Sequence, residues 1–132
     1  MSLRSPMGKV LGLGAAKEGA GHWWSQRVTA VGLVLLAPWF VLSLIAIGDL
    51  SHANVVAWIA APMNAVLMSL LVFTATYHAQ LGLQVVVEDY VPHKGTRLLT
   101  MLVINFVLLL LGVLGVFSVL RIALFGSLVG NG

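Results

Sequence analysis

Three long apolar runs, separated by short polar breaks, dominate this chain. The first, Val28 to Gly48, carries no charge and is about 21 residues long, enough to cross a hydrocarbon core of ~30 Å as a helix. Pro38 inside it removes one helical hydrogen bond and predicts a kink. The polar stretch Asp49 to Asn54 marks an exit from the bilayer, and Val55 to Ala61 reads as a short interfacial helix stopped near Pro62. The second run goes from Met63 to about Val87 and holds His78 but no Asp, Glu, Lys or Arg. Glu88, Asp89, Pro92, His93, Lys94 and Gly95 break it. The third, Leu98 to Leu120, is again free of formal charge, and Arg121 follows. This pattern predicts an all-α membrane protein with three transmembrane helices, over 28–48, 63–89 and 98–120, in one domain spanning 1–132.

Orientation follows from the basic residues. Arg4, Lys9, Lys17 and Arg27 precede the first helix, and Lys94 and Arg97 lie between the second and third. Six of the seven Lys and Arg therefore fall on one side, with Arg121 alone on the other. Such a bias marks the cytoplasmic side. The N-terminus is expected in the cytoplasm and the C-terminus in the periplasm, so the second helix runs from outside to inside. No internal repeat is visible, and an inverted-repeat transporter plan has no support.

Composition agrees with the pattern. Hydrophobic residues make up 60% of the chain and charged residues 8%, against about 25% charged in soluble domains. A soluble fold of 132 residues could not bury so much apolar side chain. The net charge of +3 is not gathered into a stripe, so no nucleic-acid partner is expected. The absence of cysteine excludes disulfides, thiolate metal sites and an iron–sulfur cluster held by this chain alone. Met1 to Gly21 is glycine-rich and weakly basic, without the apolar core of a cleaved signal, and is read as mature. It lacks the Arg- and Ser-rich character of a transit peptide, which favours a bacterial inner membrane.

His78 is the first candidate for chemistry. It lies about 16 Å inside the cytoplasmic end of the second helix, at about 1.5 Å per residue. A histidine at that depth faces protein, water or a cofactor. Two readings stand level: an interhelical hydrogen bond, or an axial ligand of haem iron. Gly82 follows at i+4 on the same face, where it would let a flat macrocycle lie close to the backbone or simply serve tight helix packing. His22, His52 and His93 all fall at interfaces. A haem with two histidine ligands would therefore need its second imidazole from another chain.

Asp89 and Tyr90 follow His78 by eleven and twelve residues. Eleven residues are close to three whole turns, so Asp89 shares the His78 flank. An acidic pair at a helix C-terminus, Glu88 and Asp89, opposes the helix dipole, so local stability does not explain it. A phenol at the membrane edge can donate to a quinone carbonyl while a neighbouring carboxylate orients it or relays protons; the alternative is an ordinary aromatic belt. Arg27 reads as a snorkelling residue or as a partner for an anionic group such as a haem propionate. Trp23 and Trp24 suit the same interface. Gln84 and Asn105 read as helix–helix hydrogen bonds, Gly112 and Gly115 as packing positions, and Asp49 and His52 as a solvated outer loop.

Together these pieces resemble a known family. The run Tyr77-His78-Ala79-Gln80-Leu81-Gly82-Leu83-Gln84-Val85-Val86-Val87-Glu88-Asp89-Tyr90-Val91 is similar to the signature of the smaller, D-type membrane anchor of succinate dehydrogenase, respiratory complex II. The run His22-Trp23-Trp24-Ser25-Gln26-Arg27-Val28-Thr29-Ala30 resembles the approach to that family's first helix. The resemblance implies that His78 is an axial ligand of a haem b shared with a C-type sister anchor. It implies that Asp89 and Tyr90 border the ubiquinone site, the phenol bonding a quinone carbonyl, and that His22 and Arg27 lie near the haem propionates. The flavoprotein and iron–sulfur subunits would then sit on the cytoplasmic side and oxidise succinate. Two other readings stay open: an anchor of a fumarate reductase-type enzyme, and a non-redox scaffold or transport subunit.

Overall fold

A computed structural model describes the backbone of residues 13–129; Arg4 and Lys9, counted above in the charge bias, lie outside it. Four helices follow one another: α1 (Leu13–Ile47), α2 (His52–Ala60), α3 (Pro62–Tyr90) and α4 (Lys94–Val129). Among the described residues all regular structure is helical. Three of the helices, α1, α3 and α4, are long and apolar enough to cross a membrane. They overrun the apolar runs at the ends. On α1 the helix starts at residue 13 rather than near 28, because Ala15, Ala16, Lys17, Glu18 and Ala20 are good helix formers that carry it into the interface. It also continues through Pro38 without a break in assignment.

The turns obey local chemistry. Gly48, at φ +74°, ends α1 in the left-handed conformation that glycine adopts without strain. Asp49 then organises the loop: its carboxylate accepts from the Ser51 N–H at 3.2 Å and the Asn54 amide at 3.2 Å. Ser51 caps α2 by accepting from the Asn54 N–H at 3.4 Å. The short helix thus begins at His52, three residues before the apolar run suggests. Pro62 opens α3 at its first turn, where no N–H is needed. At the other end Val91 closes α3, Pro92 follows, and Arg97 donates twice to the Val91 carbonyl, at 3.0 and 2.9 Å. Between Pro62 and Tyr90 α3 is one uninterrupted helix.

Helix α3 is the centre of the bundle, packed on α1 along one flank and on α4 along another. Small residues set these seams. A Cβ on Gly32 of α1 would stand 3.2 Å from Thr74 of α3; on Gly112 of α4, 3.3 Å from Thr76; and on Gly115, 2.7 Å from Val72. Close approach of this kind is how helices associate where lipid supplies no hydrophobic drive. The buried set is small: Leu36, Ala65, Leu81, Val87 and Val119, with Thr29 and Thr74 as polar members. Most large apolar side chains face outward, as they should toward acyl chains or neighbouring subunits. Trp58 of α2 packs on Trp39 and Phe40 of α1, with ring centroids 5.4 and 6.2 Å apart.

Candidate functional site

His78 lies on the side of α3 that meets α1, and its Nδ1 is 2.9 Å from the Thr29 hydroxyl oxygen. The same oxygen is 2.8 Å from the Ser25 carbonyl and 3.1 Å from that of Gln26, one turn back on α1. Thr29 is buried at 9% exposure and His78 is half-buried, so this bond is partly shielded from water. The imidazole is therefore tethered through one nitrogen, and Nε2 has no hydrogen-bond partner among the described residues. Sequence reasoning placed an interhelical hydrogen bond and a metal bond as rivals for His78; its two nitrogens allow both at once. The threonine was not singled out, although a signal existed: it follows His22 by seven residues, two turns along the same face of α1.

The rest of the candidate site has a definite layout. Gly82, one turn nearer Tyr90, has nothing within 4 Å of where a Cβ would be, so the α3 surface there is open. Asp89 and Tyr90 form the last turn of α3, both exposed, Tyr90 at 80%. His22 shares the Thr29 face of α1, and its Nε2 is buried with no hydrogen-bond partner among the described residues. Arg27 does not join them. Two residues before Thr29, it projects from the far side of α1, exposed, with its guanidinium 5.4 Å from the Trp23 ring centroid in a cation–π contact. Within this chain the structure brings Thr29 and His78 together, sets His22 two turns from Thr29 on the same face of α1 and Gly82 one turn from His78 on α3, leaves Asp89 and Tyr90 at the helix end, and turns Arg27 outward.

These residues suit a shared macrocycle better than a self-contained metal site. Among the described residues no three His, Asp or Glu side chains converge. One imidazole whose Nε2 has no hydrogen-bond partner among the described residues, and an open strip at Gly82 one turn on, would be compatible with one side of a haem pocket.

The α3–α4 seam is different in kind. Gln80 donates to Asn105 at 3.2 Å, the interhelical bond expected of Asn105. Gln84 does not take part; it donates to Glu88 one turn on within α3, at 3.0 Å, because the charged end of the helix offers it a stronger acceptor than α4 does. An open apolar groove runs along this seam beside Tyr77, Gln80, Asn105 and Phe117, and none of the candidate residues His22, Arg27, His78, Gly82, Asp89 or Tyr90 lines it.

Comparison with known proteins gives a consistent result. The family profile described as succinate dehydrogenase/fumarate reductase transmembrane subunit matches residues 1–120. A succinate dehydrogenase hydrophobic membrane anchor subunit of Rickettsia bellii is 38% identical over 95 residues, covering 71% of this chain and 75% of that one. The protein of the same name from Paracoccus denitrificans is 32% identical over 93 residues, covering 70% and 71%. A succinate dehydrogenase membrane anchor subunit of Reclinomonas americana is 31% identical over 107 residues, covering 75% and 85%.

Proposed function

The chain belongs to the succinate dehydrogenase/fumarate reductase transmembrane subunit family, and from that premise we propose that it anchors a succinate:ubiquinone oxidoreductase and supplies half of a haem b pocket and part of a quinone seat. It does no redox chemistry alone. Its partners are a C-type sister anchor, an iron–sulfur subunit docked on the cytoplasmic face, and the flavoprotein that oxidises succinate. The membrane is the bacterial cytoplasmic membrane, with the N-terminus and the α3–α4 turn inside and the C-terminus in the periplasm.

The observation that carries the reading is the single deep imidazole tethered through Nδ1. Its Nε2 would hold the haem iron, with a further ligand supplied by the sister anchor. The open surface at Gly82 would leave room for the macrocycle beside α3, and the His22 Nε2 would donate to a propionate. Arg27, exposed on the far side of α1, would pair with a second propionate only if the sister chain brought the haem edge round to it. When bound, the haem supplies a one-electron carrier beside the quinone seat.

At the end of α3 the Tyr90 phenol donates to a quinone carbonyl oxygen and holds the ring at the membrane edge. The Asp89 carboxylate orients that phenol and passes protons from the cytoplasmic side. Quinone takes two electrons from the partner's iron–sulfur clusters and two protons there, leaving as quinol. Names of the relatives, all succinate dehydrogenase anchors, favour this direction over fumarate reduction.

Purification through a tag on this chain tests the whole reading. A flavoprotein and an iron–sulfur protein should co-purify, and the reduced-minus-oxidised spectrum should show a b-type α-band. A chain that purifies without flavin and without that band is a scaffold of another kind.

A further inference from the structure

We infer that Thr29 is a positioning residue for the haem: its hydroxyl fixes the tautomer and ring orientation of His78 and sets the electron richness of the axial nitrogen. The inference rests on the proposed role of His78. It goes further by assigning a function to a residue on another helix that touches neither iron nor quinone.

The argument is a count of protons. A threonine hydroxyl has one proton and two lone pairs. Here three acceptor-capable atoms surround the oxygen: the carbonyls of Ser25 and Gln26, at 2.8 and 3.1 Å, and Nδ1 of His78 at 2.9 Å. A carbonyl can only accept, so the hydroxyl proton goes back along α1 to Ser25, the nearer one. The oxygen then offers Nδ1 a lone pair, and Nδ1 must bring the proton. A neutral imidazole protonated at Nδ1 carries its lone pair on Nε2, the form that binds a metal. The opposite arrangement, with Thr29 donating to Nδ1, would put a proton on Nε2 and close the site.

The surroundings hold this arrangement in place. Thr29 is buried and holds its oxygen 2.9 Å from Nδ1, which favours it over water as the acceptor. Its back-bond to α1 restrains the side chain. One turn further along the seam, Gly32 approaches Thr74 so closely that a Cβ would stand 3.2 Å away, which fixes the helix separation at the level of the bond. A hydrogen bond to the far nitrogen of a ligating histidine raises its basicity, and second-shell bonding is one of the levers on haem potential. A more basic ligand favours ferric over ferrous iron, so Thr29 holds the haem potential down.

The test uses the assembled complex with Thr29→Val, Thr29→Ala and Thr29→Ser, and His78→Ala as control. In Val and Ala the preference for ferric haem should fall roughly threefold to tenfold, an upward shift of the midpoint potential by up to about 59 mV at one electron, with an altered low-spin ferric EPR signal; haem lost from an otherwise assembled complex in both supports the same conclusion. Ser should restore both readouts. Potentials and EPR signals equal to wild type in Val and Ala overturn the inference. So does a shift that Ser shares, which assigns it to the methyl group. Assembly with Ser but with neither Ala nor Val, even in cells that cannot make haem, also overturns it, because the hydroxyl then serves the seam rather than the haem. An intact bis-histidine spectrum in His78→Ala would remove the underlying reading instead, and so separates the two failures.

Discussion

Gly115 of α4 lies against Val72 of α3 so closely that a Cβ would stand 2.7 Å from the valine Cγ1. Val72 is β-branched and stiff at χ1, so the valine cannot swing away and the helices themselves must part. Gly115→Ala should cost about 1–3 kcal/mol, the usual range for overpacking, and Gly112→Ala, facing Thr76 at 3.3 Å, less. Thermal denaturation of the purified complex reads both. An unshifted melting temperature for Gly115→Ala would mean that α3 and α4 are not in this contact.

His78→Ala should abolish the b-type α-band or convert it to a high-spin form while the soluble subunits stay bound. The absorption and EPR spectra of the assembled complex decide it.

Tyr90→Phe removes one phenolic donor at an exposed position where nothing in the fold depends on it. Quinone reduction should fall roughly fivefold to tenfold, since a hydrogen bond to a reacting group is worth about 1–1.5 kcal/mol. Succinate oxidation by a water-soluble acceptor should not change. Equal rates with quinone for mutant and parent would take Tyr90 out of the site.

The Gln80–Asn105 bond should be weak for all its depth. Double-mutant cycles on such pairs in membranes average about 0.6 kcal/mol. Gln80→Leu, Asn105→Leu and the double variant, compared by unfolding in detergent, should give a coupling near that value. Zero coupling would show that the 3.2 Å contact carries no energy.

Much of this was legible in the chain. Charge-free runs of about 20 residues leave few options but helices, and the break from Asp49 to Asn54 and the one from Glu88 to Gly95 gave their order. The helix ends were less legible, because α1 continues as far back as Leu13 on good helix formers that carry no hydropathy signal. Polar partners were read by depth, and depth does not identify a face: Gln84 was paired across helices, whereas Gln80 makes that bond and Gln84 turns to Glu88. Thr29 stands out little in the sequence, because threonine is common in apolar helices and only the neighbouring helix gives its hydroxyl a partner. The resemblance sets His22 and Arg27 in one region; five residues apart on a helix, they point to different sides of α1 within this chain.

The unbroken run of α3 from Pro62 to Tyr90 has a consequence for any change in its length. His78 and the Asp89–Tyr90 pair are borne on one rod, so their phase is fixed before any partner arrives. Inserting a single residue between Leu81 and Val87 would lengthen the rod by only about 1.5 Å but twist Tyr90 away from His78 by about 100°. Four inserted residues would nearly realign the two while adding about 6 Å. Angular register, far more than span, is what this helix keeps.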